Sequence, residues 1–371
     1  MQPTELTIDR PVESVLPAPT VRPARQSRAI RSLLIRLGSW EYWPFSIVYL
    51  PVFGYWLYLS LKARSFFFFS AANPSIESGG LLGESKIDIL DRISGEFKPK
   101  TLFVAVADAL HTVWTQMDEG GITFPIIAKP DAGERGWGVE KIEHWEGLVN
   151  YAQQSPVDFL IQEYVDYPLE LGVFYYRMPG ETRGTISSIV QKEFLSVTGN
   201  GHDSIDALIR QNDRALLQLD ALTAKFGDRL HRIPAPGEPV LLMPIGNHSR
   251  GTTFLNANPL ITPDLERLFD RISRPIDGFY YGRYDLRCRS LADLRAGRHI
   301  RILELNGAGA EPAHIYQPGF SIWTAWGVLL NHWRVLYEIS RENHRRGIAY
   351  MTFAEARTIY RRIQTTKTKP N

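Results

Sequence analysis

The chain has 371 residues, 44% of them hydrophobic and 22% charged, and its 42 Lys and Arg against 40 Asp and Glu leave a net charge near +2. Those proportions suit a globular protein with room for two or three packed units, and nothing in the balance calls for nucleic acid or an acidic partner. The lone cysteine, Cys288, excludes an internal disulfide and fits a reducing compartment. Set between two arginines among strand residues, it reads as a packed side chain.

In chain order, residues 1–38 read as a basic tail rich in Pro, Ser, Thr and Arg, with no periodic apolar pattern over its first part and so expected to be disordered. Its start, "MQPTELTIDR", lacks a basic region leading into an apolar one, so no cleavable leader is expected. Residues 39–64 form a hydrophobic aromatic segment. Its charge-free run from Tyr42 to Leu61 is barely long enough to cross a bilayer. It holds Pro44, Pro51 and Gly54 and is crowded with Trp and Tyr, which prefer the membrane–water boundary. Arg28, Arg31 and Arg36 precede it; Lys62 and Arg64 follow. A single crossing with a cytoplasmic amino end would carry the rest of the chain away from ATP. An interfacial or re-entrant anchor at the inner face of the membrane is therefore expected, in a protein otherwise cytoplasmic. A buried helical hairpin or a homodimer interface is the other reading.

Residues 65–123 read as a short substrate-side α/β region, with "SFFFFS" as a buried strand, a turn at Gly79 and Gly80, and a helix from about Glu84 to Ile93. "GGLLGESK" is not a phosphate loop of the P-loop kind, because Lys86 follows Ser85 instead of preceding a Ser or Thr. Over 124–318 strands outnumber helices without the strict alternation of a doubly wound sheet, which argues for an α+β fold. The strands are "FPIIAKP", "FLIQEYV", "ELGVFYYRM", "TISSIVQKEF", "EPVLLMPIG", "GFYYGRYDLRC" and "IRILELN". Residues 319–371 read as C-terminal helices, with Trp323, Trp326, Leu330, Trp333 and Tyr337 at helical spacing as packing or membrane-facing aromatics.

Three stretches carry chemistry. On a strand, residues i and i+2 share a face, which pairs Glu304 with Asn306 and Arg283 with Asp285. Two carboxylates and an amide are hard oxygen donors of the kind Mg²⁺ takes; a salt bridge from either acid to a neighbouring arginine is the plainer alternative. Lys129 ends an apolar strand and is followed by Gly133, Gly136 and Gly138. A lysine buried there is costly unless it faces an anion, and glycines let a backbone close over phosphates; an ordinary turn with an exposed lysine is the alternative. In "IQEYVDYPLEL", the backbone from Gln162 through Glu163 and Tyr164 to Val165 could bond an adenine edge, and Glu170 a ribose hydroxyl. Zinc chemistry is not expected, since the histidines show no paired ligand spacing.

In this order the motifs resemble the ATP-grasp superfamily, in particular D-alanine–D-alanine ligase and the corresponding modules of cyanophycin synthetase and bifunctional glutathione synthetase. The resemblance covers about residues 80–318. It rests on Lys129 with its glycine-rich loop, Glu163 and Glu170, Lys192 in "QKEF", "SVTGNGHDSIDALI", Arg283-Tyr-Asp285 and Glu304-Leu-Asn306. It implies two α+β lobes clamping a nucleotide, preceded by a truncated N-terminal α/β region and the hydrophobic segment. The implied activity is an ADP-forming carboxylate–amine ligase that joins a small-molecule carboxylate to an amine acceptor through an acylphosphate. Two Mg²⁺, replaceable by Mn²⁺, would lie on Asp285, Glu304 and Asn306. Lys129 and Lys192 would hold phosphates, with Lys86 in support, and Arg283 would face the developing charge. In "GNHSRGT", Arg250 is expected either to meet a substrate carboxylate or to belong to a structural turn. The insert "RSLADLRAGRHI" and the short first region depart from the family, so the substrate pocket does not transfer. A small-molecule kinase on the same scaffold and a non-catalytic nucleotide-binding module are the competing expectations.

Overall fold

The structure, a computed structural model, describes residues 24–133, 136–244 and 246–367. The first 23 positions of the expected tail lie outside the described residues. The described residues form eleven strands: β1 (Thr101–Val104), β2 (Ile126–Pro130), β3 (Glu140–Ile142), β4 (Phe159–Glu163), β5 (Leu169–Tyr176), β6 (Thr185–Glu193), β7 (Ser196–Thr198), β8 (Pro239–Leu241), β9 (Thr253–Asn256), β10 (Tyr281–Cys288) and β11 (Ile300–Asn306). They make antiparallel sheets in the orders β1-β4-β2-β3 and β11-β10-β5-β6-β9, with β7-β8 as a separate ribbon. The α+β class is as expected.

The smaller sheet packs one face on the helices Leu110–Gly120 and Trp145–Gln154. Ile126, Ala128 and Ile161 meet Val113, Met117 and Leu148 there. Strand alternation then turns Ile127 and Lys129 to the opposite face. The larger sheet buries Leu171, Val173, Tyr175, Tyr284 and Leu286 against the helix Pro263–Ser273, which Thr262 caps by accepting from Leu265 N. Its other face carries Glu170, Lys192, Arg283, Asp285 and Arg287. The two polar faces enclose a cleft.

Several expectations are corrected. β1 and the helix Leu110–Gly120 pair and pack within the smaller lobe and are not part of a separate region ending at 123. "SFFFFS" is a helical turn (Phe68–Ala71), as burial of the consecutive Phe68 and Phe69 demands, because a strand would turn them to opposite sides. The strand expected in "EPVLLMPIG" shrinks to β8. Residues 24–38, expected in the tail, form a helix, Ala24–Gly38. Arg28 pairs with Asp220 at 2.9 Å and Arg31 with Asp213 at 2.6 Å, so these arginines face the protein and not a membrane. Ile30, Leu33, Leu34 and Leu37 are left exposed.

The aromatic segment breaks where its prolines stand, into Trp40–Tyr42, Phe45–Val48 and Leu50–Ala63. Among the described residues no helix is long and apolar enough to cross a membrane. One side of the segment packs Val48, Tyr49 and Val52 on Ile315, Ala325 and Leu329. The other leaves Ile47, Leu50, Leu57 and Leu61 exposed. The expected C-terminal helices are Ile322–Arg345 and Phe353–Lys367. Tyr337 packs on Phe68 and Trp326 donates to the Val48 carbonyl at 2.8 Å, whereas Trp323 is 76% exposed. Cys288 is buried in the main core, its thiol pushed up to about 11 by that burial and the charge of Asp293, so it is a packed residue as expected.

Candidate functional site

The cleft between the two sheets measures about 2240 Å³. On the larger sheet, β10 and β11 set Asp285 directly across from Glu304, and Arg283 across from Asn306. β5 and β6 set Glu170 opposite Lys192. Asp285 accepts from Arg283 Nε at 2.8 Å and Nη2 at 3.1 Å, and its Oδ2 lies 3.4 Å from Lys192 Nζ. Burial would raise this carboxyl, but Arg283 and Lys192 outweigh it and hold Asp285 down at about 2. Burial likewise works against the Lys192 cation, yet Asp285 and Glu170 raise its pKa above the ordinary lysine value. Glycine at 172 makes the cluster possible: a Cβ there would stand 2.8 Å from Val190 Cγ1 and 3.1 Å from Asp285 Oδ1.

A β-bulge decides which way β11 presents its acids. Asp285 pairs with Glu304 but Leu286 pairs with Ile302, so Leu303 is an extra residue without a partner. Before it, Ile300 and Ile302 face the core; after it, Leu305 does. Unbroken alternation would have placed Glu304 and Asn306 with the isoleucines. The bulge instead turns both into the cleft and frees the Leu303 carbonyl, which Lys129 Nζ reaches at 3.0 Å from the other lobe.

Lys129 is buried and also donates to Gln162 Oε1 at 3.1 Å. Burial is the main reason its pKa falls to about 8; Glu304 works against the fall and Lys86 adds to it. Lys86 lies 3.7 Å from Glu304 Oε1 and donates to the Gly133 carbonyl at 2.7 Å, tying the start of the glycine-rich loop to the acidic edge. Gly133 and Gly136 line the cleft. Gly138 is set back from the wall: at φ +64° it closes a turn on Pro130, whose Cγ would lie 2.8 Å from an added Cβ. Arg250 donates from Nη2 to the Gly136 carbonyl at 3.1 Å and is not among the cleft-lining residues. Of its two expected roles, the geometry matches the structural one.

Glu163, Tyr164 and Val165 line the hinge side of the cleft. Glu163 N donates to the Lys100 carbonyl at 2.9 Å and its Oε2 accepts from Lys100 N at 3.2 Å. Lys141 Nζ stands 4.3 Å from the centre of the Tyr164 ring, and the Val165 carbonyl accepts from Arg287 at 2.7 Å. Glu170, expected to meet a ribose, is held by Lys192 at 3.2 Å and Arg287 at 3.0 Å, one on each oxygen.

The cleft therefore brings together Lys129, Gly133, Gly136, Glu163, Tyr164, Val165, Glu170, Lys192, Arg283, Asp285, Glu304 and Asn306. Sequence reasoning missed Arg287 and Glu311, and the side chain of Gln162, whose backbone alone it named. Arg287 is the next cleft-facing position after Arg283 and Asp285, so the same alternation would have found it. Gly79 and Gly80, read only as a turn, clamp the loop after β11: Ala308 N donates to Gly79 O at 2.9 Å and Gly309 N to Gly80 O at 2.8 Å.

Asp285 is engaged by Arg283 and Lys192, the salt-bridge alternative, and for a divalent cation it would have to share its oxygens, with Glu304 and Asn306 beside it on one edge. Among the described residues no cluster of three or more His, Cys, Asp or Glu forms a metal centre. The buried Asn306 Nδ2 has no hydrogen-bond partner. An amide so left is free to turn either end to the cleft, and the donor set fits a hard cation that takes further oxygens from phosphates.

No protein-family model matches the chain, and no curated protein does. Solved structures resemble it loosely. D-alanine–D-alanine ligase from Bacillus anthracis aligns over 71% of this chain and 69% of its own, at 11% identity and a TM-score of 0.41. VanG D-Ala:D-Ser ligase from Enterococcus faecalis aligns over 68% and 61%, at 13% and 0.39. A bifunctional glutathione synthetase from Pasteurella multocida aligns over 66% of this chain and only 36% of its own, at 14% and 0.36. Likenesses this loose assign no role to any residue.

Proposed function

We propose that the chain is an ATP-grasp enzyme: an ADP-forming carboxylate–amine ligase acting through an acylphosphate, working at the inner face of a membrane. One observation carries this reading. Lys86, Lys129, Lys192, Arg283 and Arg287 converge on the part of the cleft that holds Glu170, Asp285 and Glu304, several of them buried. Cations gathered and buried at this density, beyond what a structural ion pair needs, support the binding of a polyanion, and a triphosphate with its cations is of that kind.

Magnesium, when bound by Asp285, Glu304 and Asn306, supplies the charge that offsets the β- and γ-phosphates. Lys129 and Lys192 neutralise phosphate oxygens from opposite walls, and the hinge backbone at Gln162–Val165 receives the base. A substrate carboxylate oxygen attacks the γ-phosphorus and the bond to the β-phosphate oxygen breaks, giving ADP and an acylphosphate. Arg283 faces the carbonyl as an amine attacks it; phosphate leaves with the bonding pair and the amine nitrogen gives up a proton. Gly133 and Gly136 let the loop lie close enough to exclude water from the acylphosphate.

ADP release is the test. A ligase releases ADP in full only with both a carboxylate and an amine present, and a carboxylate labelled with heavy oxygen delivers one label to the phosphate. Release with a single hydroxylated co-substrate and no label transfer would identify a kinase. The membrane part rests on the outward apolar side of the helix Ala24–Gly38 and on Ile47, Leu50, Leu57 and Leu61. It predicts sedimentation with vesicles that a chain beginning at residue 65 loses.

A further inference from the structure

The cleft is about twice as large as sites for drug-sized ligands usually are, and the charged groups described above occupy one end. The other end is largely apolar, with Glu41, paired to Arg214 and His248, also on its wall. Phe45, Tyr49, Val52, Phe53 and Trp56 of the aromatic segment line it, facing Trp333 of the helix Ile322–Arg345. Phe45 and Phe53 are also 46% and 47% exposed, so this arm opens onto the outer apolar surface.

Where the two ends meet stands Glu311. Its peptide carbonyl accepts from Arg283 Nη1 at 3.1 Å, which fixes it beside the reacting end. Its carboxylate accepts from the hydroxyls of Tyr49 and Tyr316, the latter at 2.9 Å. Among the described residues no cation forms an ion pair with it, and two hydroxyls leave a carboxylate with acceptor sites to spare. Nearby His332 is held neutral, its pKa lowered to about 3 by burial and by His314, so it does not repel a cation.

We infer that the amine acceptor is amphipathic: an ammonium group held at Glu311 on an apolar chain that lies along the arm lined by Phe45, Val52, Phe53 and Trp56. This rests on the ligase reading above and names its second substrate by class. An apolar body alone would fit the arm but leave the Glu311 carboxylate with two hydroxyls and no ion pair, Arg283 being spent on its peptide carbonyl and on Asp285. A carboxylate-headed chain would set like charges together at Glu311.

The test is calorimetric titration of the full chain, free of nucleotide, with butyl-, hexyl-, octyl- and decylamine and with the matching alcohols and carboxylates. Amine affinity should climb roughly threefold per added methylene and exceed that of the equal-length alcohol by about tenfold. Glu311→Gln should erase the preference for amines and keep the chain-length dependence. Phe53→Ser, at a half-exposed position, should flatten the chain-length series while a non-hydrolysable ATP analogue binds as before. Affinity indifferent to chain length, or amines no tighter than alcohols, overturns the inference. So does a cooperatively melting Glu311→Gln protein that still prefers amines. ADP release separates the two proposals. If alkylamines bind as stated but no carboxylate elicits ADP, the ligase reading falls. If ADP release requires a small hydrophilic amine and gains nothing from chain length, the ligase reading stands and this inference falls.

Discussion

Lys129 offers a test of the phosphate site through proton counting. In the nucleotide-free protein its pKa is lowered to about 8, chiefly by burial, so at pH 8 about half the molecules hold it neutral. A phosphate placed against it restores the charged form. Nucleotide binding at pH 8 should therefore take up about half a proton, and the share due to Lys129 should vanish by pH 6.5. Phosphate is itself ionised at pH 8 and adds nothing. Calorimetry of an ATP analogue in two buffers of different ionisation enthalpy reads the uptake directly. Lys129→Met should abolish it and weaken binding by about 1.5–3 kcal/mol, the worth of a hydrogen bond to a charged group. The same shift governs stability. Because the folded-state pKa lies below the ordinary 10.5, the unfolded chain binds more protons between pH 8 and 10.5, and the empty protein should gain up to about 3 kcal/mol across that window. Zero uptake at pH 8, or the same uptake in Lys129→Met, would refute the assignment.

Glu304→Gln and Asp285→Asn should both stop ADP formation but differ in melting. Glu304 is about a third exposed and 3.7 Å from Lys86, so its loss should move stability by less than about 0.5 kcal/mol. Asp285→Asn strips Arg283 of its ion pair, leaves Lys192 with Glu170 alone and should cost about 3–5 kcal/mol in chemical denaturation; equal melting of the two variants would contradict the clamp. Asp285, held at about 2 against its ordinary 3.8, contributes about 2 kcal/mol that is present above pH 3.8 and lost as pH falls through 2. Acid titration of Asp285→Asn should lack that component. Gly172→Ala should lose about 1–3 kcal/mol and most activity, since its methyl meets Val190 and Asp285; an unchanged thermal midpoint would refute the crowding.

Local rules recovered much of this site. Alternation paired Arg283 with Asp285 and Glu304 with Asn306, and the cost of burying a cation marked Lys129. What escaped were features set by distant neighbours. The outward leucines of Ala24–Gly38 follow from Arg28 and Arg31 finding Asp220 and Asp213, nearly two hundred residues away. The aromatic segment read as an anchor because its prolines, tryptophans and tyrosines suit an interface. That it also walls the cleft depends on the helix Ile322–Arg345 packing beside it. Glu311 lay in an unremarked loop until Tyr49 and Tyr316 converged on it.

The unpaired residue at Leu303 divides β11 into an oily stem and a charged tip whose phases are set separately. Lengthening or trimming the hairpin between Arg289 and His299 leaves the tip's orientation untouched, because the count restarts after Ile302. Removing position 303 would restore plain alternation from Ile302 to Asn306, with Glu304 and Asn306 still on the cleft side, but would take away the carbonyl that Lys129 reaches. The strand thus keeps the polarity of its tip through changes of length along its outer run, while the one unpaired residue serves to hand a carbonyl to the opposite lobe.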